Sequence, residues 1–211
     1  MSSVLIVDDH PIVLQGCRRV LQDAGVDTVL AASDPQAGYL AYRRDRPDVV
    51  IIDLAMEGDE LTGLQLIGRI RQDDPQARIL VFSMHGDPAI VSRALQAGAT
   101  GYLLKDTSPE ELVRAVASVR AGRAYLANEL AMKVALAGSR EADRLAGLTP
   151  REITTLSLLA QGKSYSLIAD ELAISYKTVV NICYQLRQKL DVKSLAELVR
   201  VAVELRASRP L

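Results

Sequence analysis

The chain has 211 residues, 49% of them hydrophobic and 24% charged, with a formal net charge of −1. That length suits two domains, and the composition is that of ordinary globular protein, which excludes disordered, collagen-like and disulfide-dense classes. The small net charge hides an asymmetry: residues 1–125 carry 13 Lys and Arg against 17 Asp and Glu, whereas residues 126–211 carry 12 against 9, a division that suits an acidic metal or phosphate site followed by a nucleic-acid module.

The N-terminus, MSSVLIVDDH, meets acidic residues at positions 8 and 9 where a secretory signal would have a long apolar stretch and a small-residue cleavage site. Cys17 and Cys183 are therefore expected to be reduced thiols in a cytoplasmic protein. No run of eighteen or more apolar residues occurs, so no association with a membrane is expected. Val4–Val7 is a first short apolar strand, followed by a helical pattern from Pro11 to Ala24. Asp27–Ala32 is strand-like. Asp34–Asp45 is helical, with Asp34 as N-cap and Pro35 at the first helical position. Val49-Val50-Ile51-Ile52 is β-branched throughout and predicts a strand buried on both faces. Gly63–Gln72 is amphipathic and helical, Ile79–Phe82 a strand, Pro88–Ala97 a helix and Gly101–Leu104 a fifth strand. Pro109–Ala121 closes the series as a helix capped by Ser108. Five short apolar strands alternating with five helices predict an α/β fold: a five-stranded parallel, doubly wound, flavodoxin-like sheet over residues 1–121.

Residues 122–147 read as a linker in which Asn128–Ala137 forms a short helix. From residue 148 to 211 every pattern is helical, which predicts a small all-α domain with helices over Pro150–Gln161, Ser164–Leu172, Ser175–Leu190 and Ser194–Val203.

In an open parallel sheet the functional crevice lies beyond the carboxyl ends of the strands. There the first strand ends in Asp8-Asp9, the third in Asp53, the fourth in Ser83 and the fifth in Lys105. Singly, each reads as well as a helix cap or turn residue; together they place three carboxylates, a hydroxyl and an ammonium at one edge. Carboxylates crowded together call for a hard divalent cation such as Mg²⁺, held by Asp9 and Asp53 with a main-chain carbonyl near Ala55. Such a site suits phosphoryl transfer, in which Asp53 is the nucleophile and Ser83 and Lys105 hold phosphoryl oxygens. His10 and His85, the only histidines, read as loop residues beside the crevice rather than as ligands, and Cys17 as a core residue.

In the C-terminal part, Ser164–Leu172 reads as a scaffold helix, Ala173-Ile174 as a turn, and Ser175 as the cap of a second helix that would enter a DNA major groove. Tyr176, Lys177, Thr178 and Asn181 are the candidate contacts at its start: Lys177 for a phosphate, Thr178 for a phosphate or base edge, Asn181 for an adenine. Lys189 and Lys193 suit flanking phosphates. The same pattern also fits a helical bundle that binds protein or dimerises.

VLIVDDHPIVLQG, VVIIDLAM, ILVFSMH and GATGYLLKDTSPEEL resemble the receiver domain of two-component response regulators, and LTPREITTLSLLAQGKSYSLIADELAISYKTV resembles the LuxR-type helix-turn-helix. The pair is similar to the NarL/FixJ family over nearly the whole chain. The resemblance implies Asp53 as phosphoacceptor, Asp8 and Asp9 as the acidic pair, Mg²⁺ as cofactor, Ser83 as the switch hydroxyl, Lys105 as the phosphate-sensing lysine and Tyr102 as an aromatic switch residue, although an edge-strand surface tyrosine fits Tyr102 equally. It further implies a histidine kinase as phosphodonor, a homodimer on phosphorylation, promoter DNA as target, and no enzymatic role beyond the chain's own phosphorylation and slow dephosphorylation. A phosphatase of the haloacid-dehalogenase type would carry a second Asp two residues after the nucleophile, where this chain has Ala55. Two departures stand out. After Met56 the sequence runs Glu57-Gly58-Asp59-Glu60, where the family has a proline and a shorter loop. Where the family places a DNA-contacting Lys and His, this chain has Val180 and Ile182, followed by Tyr184 and Gln185 where smaller residues are usual; that apolar face weakens phosphate contact and admits a receiver whose C-terminal domain binds protein rather than DNA.

Overall fold

The structure, a computed structural model, describes residues 2–56 and 62–208, with the backbone alone at 139–146 and 206–208. It divides into two compact units, residues 1–133 and 134–211.

The first unit alternates β1 (Ser3–Val7), α1 (Pro11–Asp23), β2 (Thr28–Ala32), α2 (Pro35–Asp45), β3 (Val49–Ile52), α3 (Thr62–Asp73), β4 (Ile79–Ser83), α4 (Pro88–Gln96), β5 (Gly101–Leu104), α5 (Pro109–Arg120) and β6 (Tyr125–Leu126). All strands pair in parallel in the order β2-β1-β3-β4-β5-β6. The sequence therefore undercounts the sheet by one. β6 is only two residues long, too short to show a period, and it exists because Tyr125 pairs beside Gly101, where an added Cβ would stand 3.0 Å from the Tyr125 carbonyl oxygen. The Tyr125 hydroxyl, donating to Glu111 at 2.9 Å, ties the added strand to α5.

Helices start where their caps dictate. Asp34 accepts from the Ala37 amide at 2.7 Å and Ser108 from the Glu111 amide at 3.3 Å, each followed by proline at the first helical position. Val4, Ile6, Val49, Ile51, Leu80, Phe82 and Leu103 join Cys17 and Leu21 of α1 and Leu112, Val116 and Val119 of α5 in one buried cluster. The alternate strand residues Leu5, Val7, Val50, Ile52 and Val81 are buried too, as a sheet covered on both faces requires. Each such aliphatic contributes roughly 1.5–3 kcal/mol of burial free energy, which is what makes the strand ends a rigid platform.

α6 (Asn128–Ala146) continues well past the short helix expected in the linker. Its composition explains the extension, since Ala, Leu, Arg and Glu are all strong helix formers and Glu129 pairs with Lys133 at 2.7 Å one turn on. The division between the two units falls inside it. The second unit holds α7 (Pro150–Ala160), α8 (Tyr165–Glu171), α9 (Tyr176–Lys189) and α10 (Leu195–Ser208), packed around Leu156, Leu159, Ile168, Val179, Cys183, Leu186, Leu198 and Val201. Both cysteine thiols are free and buried. Among the described residues no helix is long and apolar enough to cross a membrane.

Candidate functional site

The sheet ladder itself positions the site. One residue past each strand end the main chain still donates a ladder bond: Asp8 to Ala32, Asp53 to Val7 and Lys105 to Ser83, at 2.9–3.1 Å. Three side chains are thus delivered to one edge by the same register that buries the strands. Lys105 Nζ sits 2.7 Å from Asp8 Oδ2 and 2.7 Å from Asp53 Oδ2, and all three side chains are at least nine-tenths buried. Burial pushes the Asp53 carboxyl above its ordinary range, and the Asp8 charge pushes the same way, against the contrary pull of Lys105 and of the Ala55 amide. Burial alone would lower the Lys105 ammonium, but its contacts with Asp53 and Asp8 outweigh that and hold it above its usual value.

Asp9, less buried, and His10 complete the rim. The His10 amide donates to Asp8 Oδ1 at 2.9 Å, and its ring Nδ1 lies 3.1 Å from Asp8 Oδ1 and 2.7 Å from Asp9 Oδ1. One ligand atom from each of Asp8, Asp9, His10 and Asp53 falls within 4.8 Å of the others. Among the described residues three carboxylates stand at this edge with one ammonium, and their oxygens lie close enough together that the acidic pocket fits a metal ion. His10, read from sequence as a bystander, stands close enough to belong to the pocket, and no sequence signal beyond its adjacency to the acidic pair could have shown it. Ala55 enters through its amide. Glu57, Asp59 and Glu60 lie outside the described residues.

Ser83 is fully buried at the end of β4, its Oγ accepting from the His85 amide at 3.3 Å. Tyr102 is also fully buried, and its hydroxyl donates to the His85 carbonyl at 2.7 Å. The surface alternative for Tyr102 is thereby overturned: β6 covers β5, so position 102 is not on an edge. Burial pushes the Tyr102 phenol up to about 12, so it stays a neutral donor. One backbone unit, His85, connects the hydroxyls of Ser83 and Tyr102.

Sequence reasoning missed Gly63. A Cβ there would lie 2.1 Å from the Asp53 carbonyl oxygen and 2.7 Å from Leu54 Cα. The first turn of α3 therefore lies against the backbone that carries Asp53, an approach only glycine permits.

In the second unit α8, Ala173-Ile174 and α9 form the expected helix-turn-helix. Ser175 Oγ accepts from the Thr178 amide at 3.1 Å, and Ile174 packs on the core. Tyr176, Lys177 and Asn181 are exposed, Thr178 half-buried with its hydroxyl 2.8 Å from that of Ser175, and Lys193 exposed. Lys189 stays exposed, and its Nζ lies 2.8 Å from the buried Glu152 carboxylate. Glu152 also closes a capping box with Thr149 at the start of α7. The Thr-x-x-Glu spacing of 149–152 is the signal that could have found it. The apolar substitutions divide: Val180 is exposed, whereas Ile182 is 8% exposed and lies in the core, so the expectation of an apolar face at both positions holds only at 180.

Comparison with known proteins matches residues 4–117 to the response regulator receiver domain and residues 146–202 to the bacterial regulatory proteins of the luxR family. The chain is 40% identical, over 93% of its length and 88% of the relative's, to the methanol utilization control regulatory protein MoxX of Paracoccus denitrificans. It is 34% identical, over 93% of its length and 92% of the relative's, to the nitrate/nitrite response regulator protein NarL of Escherichia coli. Among solved structures, RcsB from Salmonella enterica serovar Typhimurium, bound to promoter rprA in the presence of the phosphomimetic BeF3−, aligns with a TM-score of 0.62 at 29% identity, over 97% of this chain and 100% of that one.

Proposed function

The chain belongs to the two-component response regulators that join a receiver domain to a LuxR-type DNA-binding domain, and from that premise we propose that phosphorylation of Asp53 by a histidine kinase governs its transcription-regulating activity. The observation that carries this reading is the convergence of Asp8, Asp53 and Lys105 at the strand ends, with Lys105 Nζ at 2.7 Å from both carboxylates. Residues 1–121 form the receiver, 122–147 the connection and 148–211 the DNA-binding domain.

An Asp53 carboxylate oxygen attacks the phosphorus of a phosphohistidine; the P–N bond breaks, the imidazole leaves with its electron pair and takes a proton from solvent, and an acyl phosphate remains on Asp53. Asp8, Asp9 and Asp53, with the Ala55 carbonyl, would hold Mg²⁺, which would neutralise charge on the phosphoryl oxygens. Lys105 leaves its contact with Asp53 for one phosphoryl oxygen, and Ser83 Oγ donates to another. In swinging toward that oxygen, Ser83 Oγ draws away from the His85 amide from which it accepts, which in turn disturbs the His85 carbonyl that fixes Tyr102. The charge at Asp53 is thus felt along β4, β5 and α4, the bistable element. The reshaped face favours a homodimer, and α9 of each copy then enters a half-site of promoter DNA through Tyr176, Lys177, Thr178 and Asn181, with Lys193 on a flanking phosphate. Water later attacks the phosphorus and releases phosphate, so the chain's only chemistry is its own phosphorylation cycle.

Incubating the full chain with a small-molecule phosphodonor and Mg²⁺ gives an acid-stable, base-labile adduct, absent from Asp53→Asn and absent after chelation. An Asp53→Asn protein that still labels removes Asp53 from this role. A salt-dependent duplex titration, in which phosphorylated protein binds more tightly than unphosphorylated, tests the coupling to DNA.

A further inference from the structure

The solvent face of α9 carries an unusual stripe. Tyr176, Val180 and Tyr184 recur every four residues and are 56%, 39% and 55% exposed, which places them in one line along the helix. The opposite face, Val179, Ile182, Cys183 and Leu186, is buried in the core. Both ends of the stripe are braced. The Tyr176 ring lies 6.0 Å from that of Tyr165, tilted by 57°, and Tyr165 is itself hydrogen-bonded to Cys183. The Arg187 guanidinium lies 5.8 Å from the centre of the Tyr184 ring. α9 contains no Asp or Glu, and Lys177, Asn181, Gln185 and Gln188 stand exposed beside the stripe. Its charge complements a polyanion, whereas the stripe itself has no group for a phosphate at Val180.

The edge of the major groove offers one apolar group, the 5-methyl of thymine; every other feature there is a hydrogen-bond donor or acceptor. We propose that α9 reads its operator through thymine 5-methyl groups, with Val180 as the contacting residue and Asn181 on a neighbouring adenine. Tyr176 and Tyr184 lie one turn to either side and exclude water from the methyl. This inference rests on the reading of α9 as the DNA-recognition helix. It gives the departure from the family pattern a purpose: a valine in place of a lysine exchanges a cationic hydrogen-bond donor for an apolar contact that distinguishes thymine from the other bases.

The test keeps the two readings separate. The full chain, treated with a small-molecule phosphodonor and Mg²⁺, selects sites from a random duplex DNA library. The enriched site is then resynthesised with each thymine in turn replaced by deoxyuridine, which preserves every hydrogen bond and phosphate and deletes only the methyl. The expected result is a loss of roughly three- to tenfold in affinity at one or two positions per half-site, the scale of one buried methyl-sized group. Val180→Ala, at an exposed position and with unchanged melting, binds the thymine and deoxyuridine duplexes alike, while Val180→Thr, which keeps a methyl, retains part of the discrimination. Indifference of the wild-type protein to deoxyuridine everywhere, or undiminished discrimination by Val180→Ala, overturns the inference while leaving DNA binding intact. Failure to enrich any duplex overturns both readings and leaves the stripe as a protein contact.

Discussion

The two units place function on opposite kinds of surface. In the first, the reactive groups are buried at the end of a parallel sheet and fixed by the ladder that forms the core, so that fold and site are one arrangement: Asp8, Asp53 and Lys105 each follow a strand by one residue. In the second, the candidate contacts lie on the outside of α9, and only the helix's inner face is needed for folding. Changes at the outer face are cheap, which is why position 180 departs from the family without disturbing the bundle. A site made of the core resists variation; a site laid on it invites variation.

The sharpest way to break that comparison is to remove the single positive charge from the first site. Lys105→Met leaves Asp8 and Asp53 buried without a counter-charge, and the expected cost is about 3–5 kcal/mol. Urea unfolding with and without Mg²⁺ measures it, and millimolar Mg²⁺ recovers part of the loss. A variant as stable as wild type in the absence of divalent cations would show that the three groups are not coupled. The next largest effect is at Gly63, where an added Cβ meets the Asp53 carbonyl at 2.1 Å, an atom that cannot move without moving the site. Gly63→Ala is expected to cost about 2–3 kcal/mol and to slow labelling of Asp53; full stability with normal labelling would show that α3 can back away.

Legibility in the sequence follows the same contrast. The strand-end residues were readable because burial, β-branching and parallel topology put Asp8, Asp9, Asp53, Ser83 and Lys105 at one edge without any knowledge of contacts. What was not readable depended on tertiary approach. β6 is too short for a period, and Gly63 announces only a helix start. The pairing of Lys189 with the buried Glu152 is set by where α7 packs against α9, which spacing along α9 alone does not show. Ile182 is hidden because the 3.6-residue period of α9 puts 179, 182, 183 and 186 on the inner face and 180 on the outer one, which spacing from the cap could have indicated but family position alone did not. The connecting helix runs past residue 137 because the residues that follow Gly138 include the strong helix formers Arg140, Glu141, Ala142, Arg144, Leu145 and Ala146.

Glu152 sharpens the comparison from the other side, as a buried charge in the second unit that caps α7 and pairs with Lys189. Glu152→Gln removes the capping-box carboxylate and the partner of Lys189, at an expected cost of about 1–2 kcal/mol confined to the helical unit. Burial by itself would raise the Glu152 carboxyl, but Lys189 and the Thr149 amide and hydroxyl together hold it below its ordinary 4.5. A carboxyl lowered in the folded state contributes stability that is present above the unfolded value and lost as pH falls through the folded one. The gap between wild type and Glu152→Gln is therefore expected to be full at pH 7 and to shrink below about pH 4.5, as followed by urea melts of the helical signal. A gap independent of pH would assign the effect to packing rather than to charge.

The smallest expected effect lies in the turn of the helix-turn-helix. Ala173 adopts φ 50°, in the left-handed region, while Ile174 beside it anchors the turn through its amide to the Ala169 carbonyl at 2.9 Å. An L-residue with a Cβ costs about 1–2 kcal/mol there relative to glycine, and glycine recovers part of that against its greater freedom in the unfolded chain. Ala173→Gly is thus expected to stabilise the second unit by about 0.5 kcal/mol, read as a small rise in urea midpoint at constant slope, and to leave labelling of Asp53 unchanged. The same substitution leaves the outer face of α9 untouched, so duplex affinity should follow only the stability of the turn. A fall in affinity despite higher stability would mean that the angle between α8 and α9, and not only the residues on α9, is tuned for its target, and the separation between a fold-bound first site and a surface-laid second site would then need to be redrawn.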